Sequence, residues 1–376
     1  LRGMVSSPWS VLRTSGDAPE RRGGHTALLV EQNLLVMGGT QHKGQGQFVY
    51  FSLNPHVLDT QTLKWFRPRV ALGGGPTPRA YHSTTRVGSA LFVFGGQTYM
   101  HTSGGAESVL GDLPIFDLVR MAWETRDSRG NPPRPRYWHT ATLVGGSIVI
   151  AGGYTGTRSL SDVHLLDTEA MAWSSPPLSS PLPPLACHSA TLVGGRLYLF
   201  GGMAVTLDDA GASRVEYHED VHSIDCGEMS VQRLRRRGAA PAARAYHEAA
   251  LVGGYLLVLG GWNGAPRPLD EVSTLDLEGL GTWHSVQVPG EAPAPVYGHS
   301  ATLVGSKVGG TLEGRGHAHS DSHDALLGRW WSLAGGMARR RSTRRTCWIQ
   351  RSCEPSPSLL QRSRNSFFTR VVKFKK

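Results

Sequence analysis

Apolar and polar residues alternate along this chain in short bursts, and sustained helical stripes are sparse. In Arg136–Gly153, RYWHTATLVGGSIVIAGG, a histidine opens one alternating run, a Gly-Gly interrupts it, a second apolar run follows, and another Gly-Gly closes it. Two short apolar runs joined by glycines predict an antiparallel hairpin, strand A over His139–Val144 and strand B over Ser147–Ala151. After a polar loop, Asp162–Asp167 (DVHLLD) alternates again, and Trp173 stands six residues beyond Asp167. That predicts strands C and D.

The same pattern recurs. Gly38-Gly39, Gly95-Gly96, Gly152-Gly153, Gly201-Gly202 and Gly260-Gly261 each lie 13 residues after a histidine: His25, His82, His139, His188 and His247. The Asp-to-Trp spacing returns at Asp59/Trp65 and Asp117/Trp123, and with one residue more at Asp276/Trp283; in the fourth copy Val231 replaces the aromatic. Units of about fifty residues holding four short strands predict an all-β fold, a β-propeller of about six four-stranded blades. The diglycines suit positive φ or a close backbone approach, the tryptophans supply apolar area between blades, and each Asp suits a turn. These positions therefore read as structural.

A sixth start, His299–Gly305 (HSATLVG), opens the pattern without completing it, and no diglycine strand B follows on schedule. Trp331–Gly336 (WSLAGG) resembles a strand B, displaced by 23 residues. Either an insertion within the last blade or an altered reading frame or splice accounts for this. Trp9 precedes the first histidine by 16 residues, as Trp123 precedes His139, so residues 8–12 read as a strand D that closes the ring. The expected organisation is a propeller over 1–305, with units starting near 22, 79, 136, 185, 244 and 296, and an irregular basic tail or disrupted last blade over 306–376.

The segments VMGG, VFGG, IAGG, LFGG and LGG, with DTQTLKW, DLVRMAW and DTEAMAW, resemble the kelch-repeat family. The resemblance covers roughly residues 5–305. It implies a propeller that binds a protein partner through the loops between strands B and C. Those loops, 40–54, 97–111, 154–161, 203–219 and 262–270, differ most between copies, and variable loops on a rigid scaffold carry specificity. Tyr99, His101, Tyr154, Arg158, Tyr217, Trp262 and Arg267 are the aromatic, histidine and arginine side chains they offer as anchors. Many kelch proteins carry a BTB domain; no BTB-like helical region stands in this chain, so that role is not carried over.

Charge divides the chain. Of 39 basic and 29 acidic residues, 15 and 4 lie in 306–376, giving that stretch +11; residues 1–305, with 24 and 25, carry −1. The arginine-rich run ARRRSTRRTCWIQRS reads as a solvated, disordered extension, with nuclear import or nucleic-acid contact as lesser alternatives. Cys187, Cys226, Cys347 and Cys353 lack metal-like spacing and read as reduced thiols of an intracellular protein. No apolar run approaches the ~20 residues of a membrane span and no leader pattern opens the chain, so a cytoplasmic location is expected, with the nucleus as the alternative.

Candidate chemistry is thin. His218–His222 (HEDVH) matches the zinc-hydrolase HExxH, which requires a helix, whereas the alignment of EDVHSID with SDVHLLD makes it strand C. An ExxxDxxxH iron pattern, as in plant kelch specifier proteins, fails because Ile224 stands at the histidine position. His317, His319, Asp321 and His323 form a ligand-rich cluster in a Gly-rich stretch and suggest adventitious metal affinity at most. Arginine precedes the repeat histidine by three in four copies, Arg22, Arg79, Arg136 and Arg244; an inter-blade hydrogen-bond or surface role set by the fold is favoured over a ring of arginines at the mouth. No cofactor, resident metal or catalytic residue is expected. The leading function is a non-enzymatic protein-binding scaffold, with an enzyme using the propeller mouth as the alternative.

Overall fold

The computed structural model describes residues 11–311 apart from 45–46, 72, 74, 101–105, 236, 278–280, 287–296 and 305–306, together with 330–331. Its regular structure is entirely β: the described residues hold no helix. Five blades repeat one antiparallel order, A-B-C-D. In blade 3 the strands are Thr140–Val144, Ser147–Ala151, Val163–Asp167 and Ala172–Ser174. The equivalent A strands begin at Thr26, Ser83, Ser189 and Glu248.

A further four-stranded sheet is assembled from distant parts. Ser300–Val304 pairs with Lys307–Thr311, Thr311 meets Trp330, and Trp331 meets Val11. Lys307–Thr311 thus occupies the place of strand B, with Gly309-Gly310 inside the strand, and Trp330–Trp331 takes the place of strand C. The expectation that strand B is missing, or displaced to Trp331–Gly336, is corrected on this point: ladder pairing needs only backbone groups, so a strand B can form without the terminal diglycine. Strand A of this sheet touches strand A of blade 5 on one side and of blade 1 on the other.

The core sits between blades. Val30, Leu35, Met37 and Val57 of blade 1 pack with Leu91, Val93 and Phe116 of blade 2. Comparable clusters fill the junctions of blades 2 and 3, 3 and 4, and 4 and 5. Trp65, Trp173 and Trp283 of strands D are buried in such junctions, so in blades 1, 3 and 5 a large ring seals the seam with apolar area. Beside each, the strand C aspartate closes the C–D turn: Asp167 Oδ1 accepts the N–H groups of Glu169 and Ala170, and Met171 then takes a left-handed φ of 48°.

Hydrogen bonds tie the blades around the ring at two levels. The second glycine after strand B donates its N–H to the carbonyl three residues before the next blade's histidine, as in Gly153 to Leu185, 2.7 Å. Gly152, at φ 59°, is pressed so close to the Leu185 carbonyl that a Cβ would collide with it. Beneath this latch runs a belt of histidines, buried except for the half-buried His25. His82 Nε2 hydrogen-bonds Thr26 of the preceding blade (3.1 Å), His139 bonds Ser83 (2.8 Å), His188 bonds Thr140 (2.9 Å) and His247 bonds Ser189 (2.9 Å). His25 bonds Ser300 (3.1 Å).

Candidate interaction face

Strand B ends and strands A and C begin at the same end of every blade, so one face of the disc collects the B–C connections and the residues preceding each repeat histidine. Three of the five variable loops are themselves hairpins. Thr40–His42 pairs with Phe48–Tyr50, Gln97–Met100 with Ala106–Val109, and Met203–Leu207 with Ser213–Tyr217. Their alternating residues extend strand pairing beyond the blade and raise walls on this face. Phe48, Val49, Tyr99, Leu207 and Val215 stand exposed on these walls.

Between the walls lies an aromatic surface built largely from residues that immediately precede the repeat histidines. Tyr81, Trp138, Cys187 and Tyr246 occupy this position in blades 2 to 5, at φ of 59°, 59°, 55° and 57°; Gly24 in blade 1 and Gly298 before the last A strand hold the same backbone shape. Each of these residues from Tyr81 to Gly298 donates its N–H to the carbonyl of its counterpart in the previous unit, from Tyr81 to Gly24 (2.7 Å) through Gly298 to Tyr246 (3.0 Å). This chain of bonds holds the side chains together. Trp138 meets Tyr81 (5.6 Å) and Tyr246 (5.4 Å) edge-on and stacks on Tyr154 (5.4 Å, 26°). Tyr246 reaches Tyr297 (6.0 Å), which stacks on Trp262 (5.9 Å, 26°), and Trp262 meets Tyr217 (6.0 Å). Burial pushes the Tyr246 hydroxyl and the Cys187 thiol, which hydrogen-bond each other, well above their ordinary pKa values. Both stay neutral at physiological pH.

Of the anchors read from the loops, Tyr154, Tyr217 and Trp262 join this surface. Tyr99 stands exposed on the blade 2 hairpin, Arg158 and Arg267 are exposed on the loops of blades 3 and 5, and His101 lies outside the described residues. The sequence reading passed over Tyr81, Trp138, Tyr246 and Tyr297. A signal was available: the residue before the repeat histidine changes from glycine to tyrosine, tryptophan or cysteine while its neighbours repeat.

The arginines do not line a mouth, and the expected inter-blade or surface role is corrected too: the side chains of Arg79, Arg136 and Arg244 bond within their own unit, tying strand B to strand C. Arg79, Arg136 and Arg244 are fully buried. Each donates to the carbonyl of the first glycine of its own blade's diglycine (2.8–3.0 Å) and to a carboxylate at the start of strand C: Asp112, Asp162 and Glu271. Burial alone would raise the Asp162 pKa, but the Arg136 fork and His164 outweigh it and hold the carboxyl well below the usual range. Arg22, whose blade has Asn54 at the corresponding position, lies over the Phe51 ring at 4.0 Å. Blade 4 has Leu185 in place of the arginine, and its Asp220 is bound by Arg233 instead (2.8 Å).

The HEDVH segment is not helical: Val221–Asp225 is strand C, with His222 opposite Leu199. Among the described residues no group of three or more His, Cys, Asp or Glu side chains could hold a metal ion. The His317–His323 cluster, Cys347 and Cys353 lie outside them; Cys187 and Cys226 are free thiols. No helix among the described residues is long and apolar enough to cross a membrane.

Radial blades, histidine belt and diglycine latches together define a kelch-type β-propeller. The family model of the KLHDC2/KLHL20/DRC7 Kelch-repeats domain matches residues 3–202 and 100–310, and the chain belongs to that family. It is 31% identical over 264 residues to acyl-CoA-binding domain-containing protein 5 of Arabidopsis thaliana, covering 68% of this chain and 38% of that protein. It is 31% identical over 320 residues to Adagio-like protein 3 of Oryza sativa subsp. japonica (81% and 48%) and 28% identical over 287 residues to human host cell factor 1 (72% and 13%). The chain spans less than half the length of each of these relatives.

Proposed function

We propose that this protein is a non-enzymatic interaction module whose protein partner docks on the face bearing the B–C hairpins. The observation that carries this reading is the continuous, partly exposed aromatic surface from Trp138 to Tyr217, assembled from four units and walled by hairpins with exposed Tyr99, Leu207 and Val215. Partly exposed tyrosine and tryptophan suit interfaces because they bring large contact area with few rotors to immobilise. The repeat histidines are poor candidates for catalysis, since five are buried and His25 half-buried, and five of the six bond a neighbouring blade's hydroxyl. Tyr99, Tyr154, Arg158, Tyr217, Trp262 and Arg267 are assigned to the docking face, and His101, outside the described residues, is assigned to it from its place in the sequence.

The same reading makes the sheet closed by Val11–Leu12 a sixth blade. Its support is the His25–Ser300 bond and the position of Ser300–Val304 between blades 5 and 1. The test is crosslinking and capture of partners by the full chain, compared with Tyr99→Ala/Tyr217→Ala and with a control substitution at Tyr255, which is exposed in the A–B turn at the opposite end of the blade. Specific capture lost only with the first variant is the expected result. Capture lost only with Tyr255→Ala would overturn the docking face.

A further inference from the structure

The inference here rests on that docking face and narrows the chemistry of what it holds. Glycine fills the position before the repeat histidine twice, at Gly24 and Gly298, so the backbone shape itself asks for no side chain. Tyr81, Trp138 and Tyr246 adopt that left-handed shape nonetheless, a strained one for bulky residues, and converge on one another. Strain of this kind persists where the surroundings enforce it and concentrates at functional sites. The rings present π faces and edges around Trp138, and π faces carry negative potential that attracts cations, tryptophan most strongly.

The surrounding charges have the matching sign. The framework cations nearest the aromatic surface are withdrawn: Arg79, Arg136 and Arg244 are buried, while the side chains of their partners Asp112, Asp162 and Glu271 stay 50%, 36% and 44% exposed. Across the loops of blades 3 to 5 the further charges are Asp208, Asp209, Glu216, Glu219 and Asp270 against Arg158, Arg214 and Arg267, five acidic to three basic. Electron-rich rings inside an acidic rim favour a cationic guest over an anionic or neutral one.

We infer that the aromatic surface seats a basic side chain of the protein partner, an arginine or lysine, by cation–π contact centred on Trp138 and with the acidic rim drawing it in. The test titrates the full chain with the acetylated amides of arginine, lysine, citrulline and leucine, reading the indole N–H resonance of Trp138 and also that of Trp262, which lies on the same surface and remains when Trp138 is replaced. Citrulline keeps the shape of arginine without its charge. The expected result is binding of the two cations about tenfold tighter than the neutral pair, weakened by salt and absent in Trp138→Gly. Glycine is the residue at the equivalent positions 24 and 298, and the remaining indole resonances report whether that variant stays folded. Should it unfold, Trp138→Phe serves instead, with a smaller loss expected from the weaker ring. Equal binding of leucine or citrulline, or no response to either cation, would overturn the inference. The capture experiment above would stand on its own in either case, because it reads the docking face and not the charge of the guest.

Discussion

Glu248 interrupts the histidine belt, and its removal should stabilise the protein in a pH-dependent way. In the other five units the first residue of strand A is a hydroxyl, Thr26, Ser83, Thr140, Ser189 or Ser300, bonded to a histidine of the next unit. At the junction before His299 that place is taken by a carboxyl. Burial pushes the pKa of Glu248 from 4.5 up to about 8, against the opposing effect of a hydrogen bond from the Ala301 backbone. His299 is itself held down to about 4 by burial, so at neutral pH it offers no positive charge opposite. Because the folded pKa lies above the unfolded one, folding takes up a proton between these values. The penalty is absent below pH 4.5, grows with pH, and is complete above 8. A shift of 3.5 units, the difference between 4.5 and about 8, corresponds to a ceiling of about 5 kcal/mol. Glu248 keeps part of its surface in water, so about half of that is expected. Urea unfolding of the wild type and Glu248→Gln, at about pH 5 and about pH 8.5, separates the contributions. The variant should gain less than about 1 kcal/mol at the lower pH and about 2 to 4 kcal/mol at the higher. The six neutral histidines are common to both proteins and cancel in the difference. A gain that is the same at both pH values would refute the reasoning, since it would mean that Glu248 ionises normally in the folded protein.

Other substitutions test the frame. Gly152→Ala forces a Cβ against the Leu185 carbonyl at a left-handed φ and should cost more than about 2 kcal/mol, whereas Gly145→Ala, with open space at a similar φ, should cost about 1 kcal/mol; denaturant midpoints compare them. Asp162→Asn removes the charge partner of the buried Arg136 and should destabilise by about 3 kcal/mol in urea unfolding; an effect near zero would mean that the carbonyls of Arg134 and Gly152 suffice. Ser83→Ala leaves buried His139 Nε2 without its partner and should cost about 1 to 3 kcal/mol by thermal or chemical unfolding. Burial holds His25, His139, His188 and His247 down to about 3, below their unfolded value of 6.5. The unfolded chain therefore binds protons that the folded one refuses, and stability should fall steeply from pH 6.5 towards 3, visible as a sharp acid transition in circular dichroism.

The propeller was legible in the chain because its signals are local and repeated. The 13-residue step from histidine to diglycine is a strand, a turn and a strand; the Asp-to-Trp step is a turn and the start of another. Alternation alone places Thr140–Val144 and Ser147–Ala151 opposite one another, as their register shows. The role of Arg136 was legible only in part. Its recurrence pointed to structure, but its partner Asp162 lies 26 residues away across a loop whose length varies among the blades. The hairpins in the B–C loops were read as loops because their strands are short and partly polar, and their pairing depends on the blade end that supports them.

What the sequence by itself determined is the unit: four strands, a latch, a belt histidine and a turn, each set by backbone conformations and side-chain periods that act within fifty residues. What only the tertiary structure decided is which unlike residues meet. Tyr81, Trp138, Tyr246 and Tyr297 stand 57, 108 and 51 residues apart in turn and touch because circular closure brings the same end of different units around one axis. The closing sheet follows the same logic, since Val11 finds Trp331 only once the units between them have curved the chain back on itself.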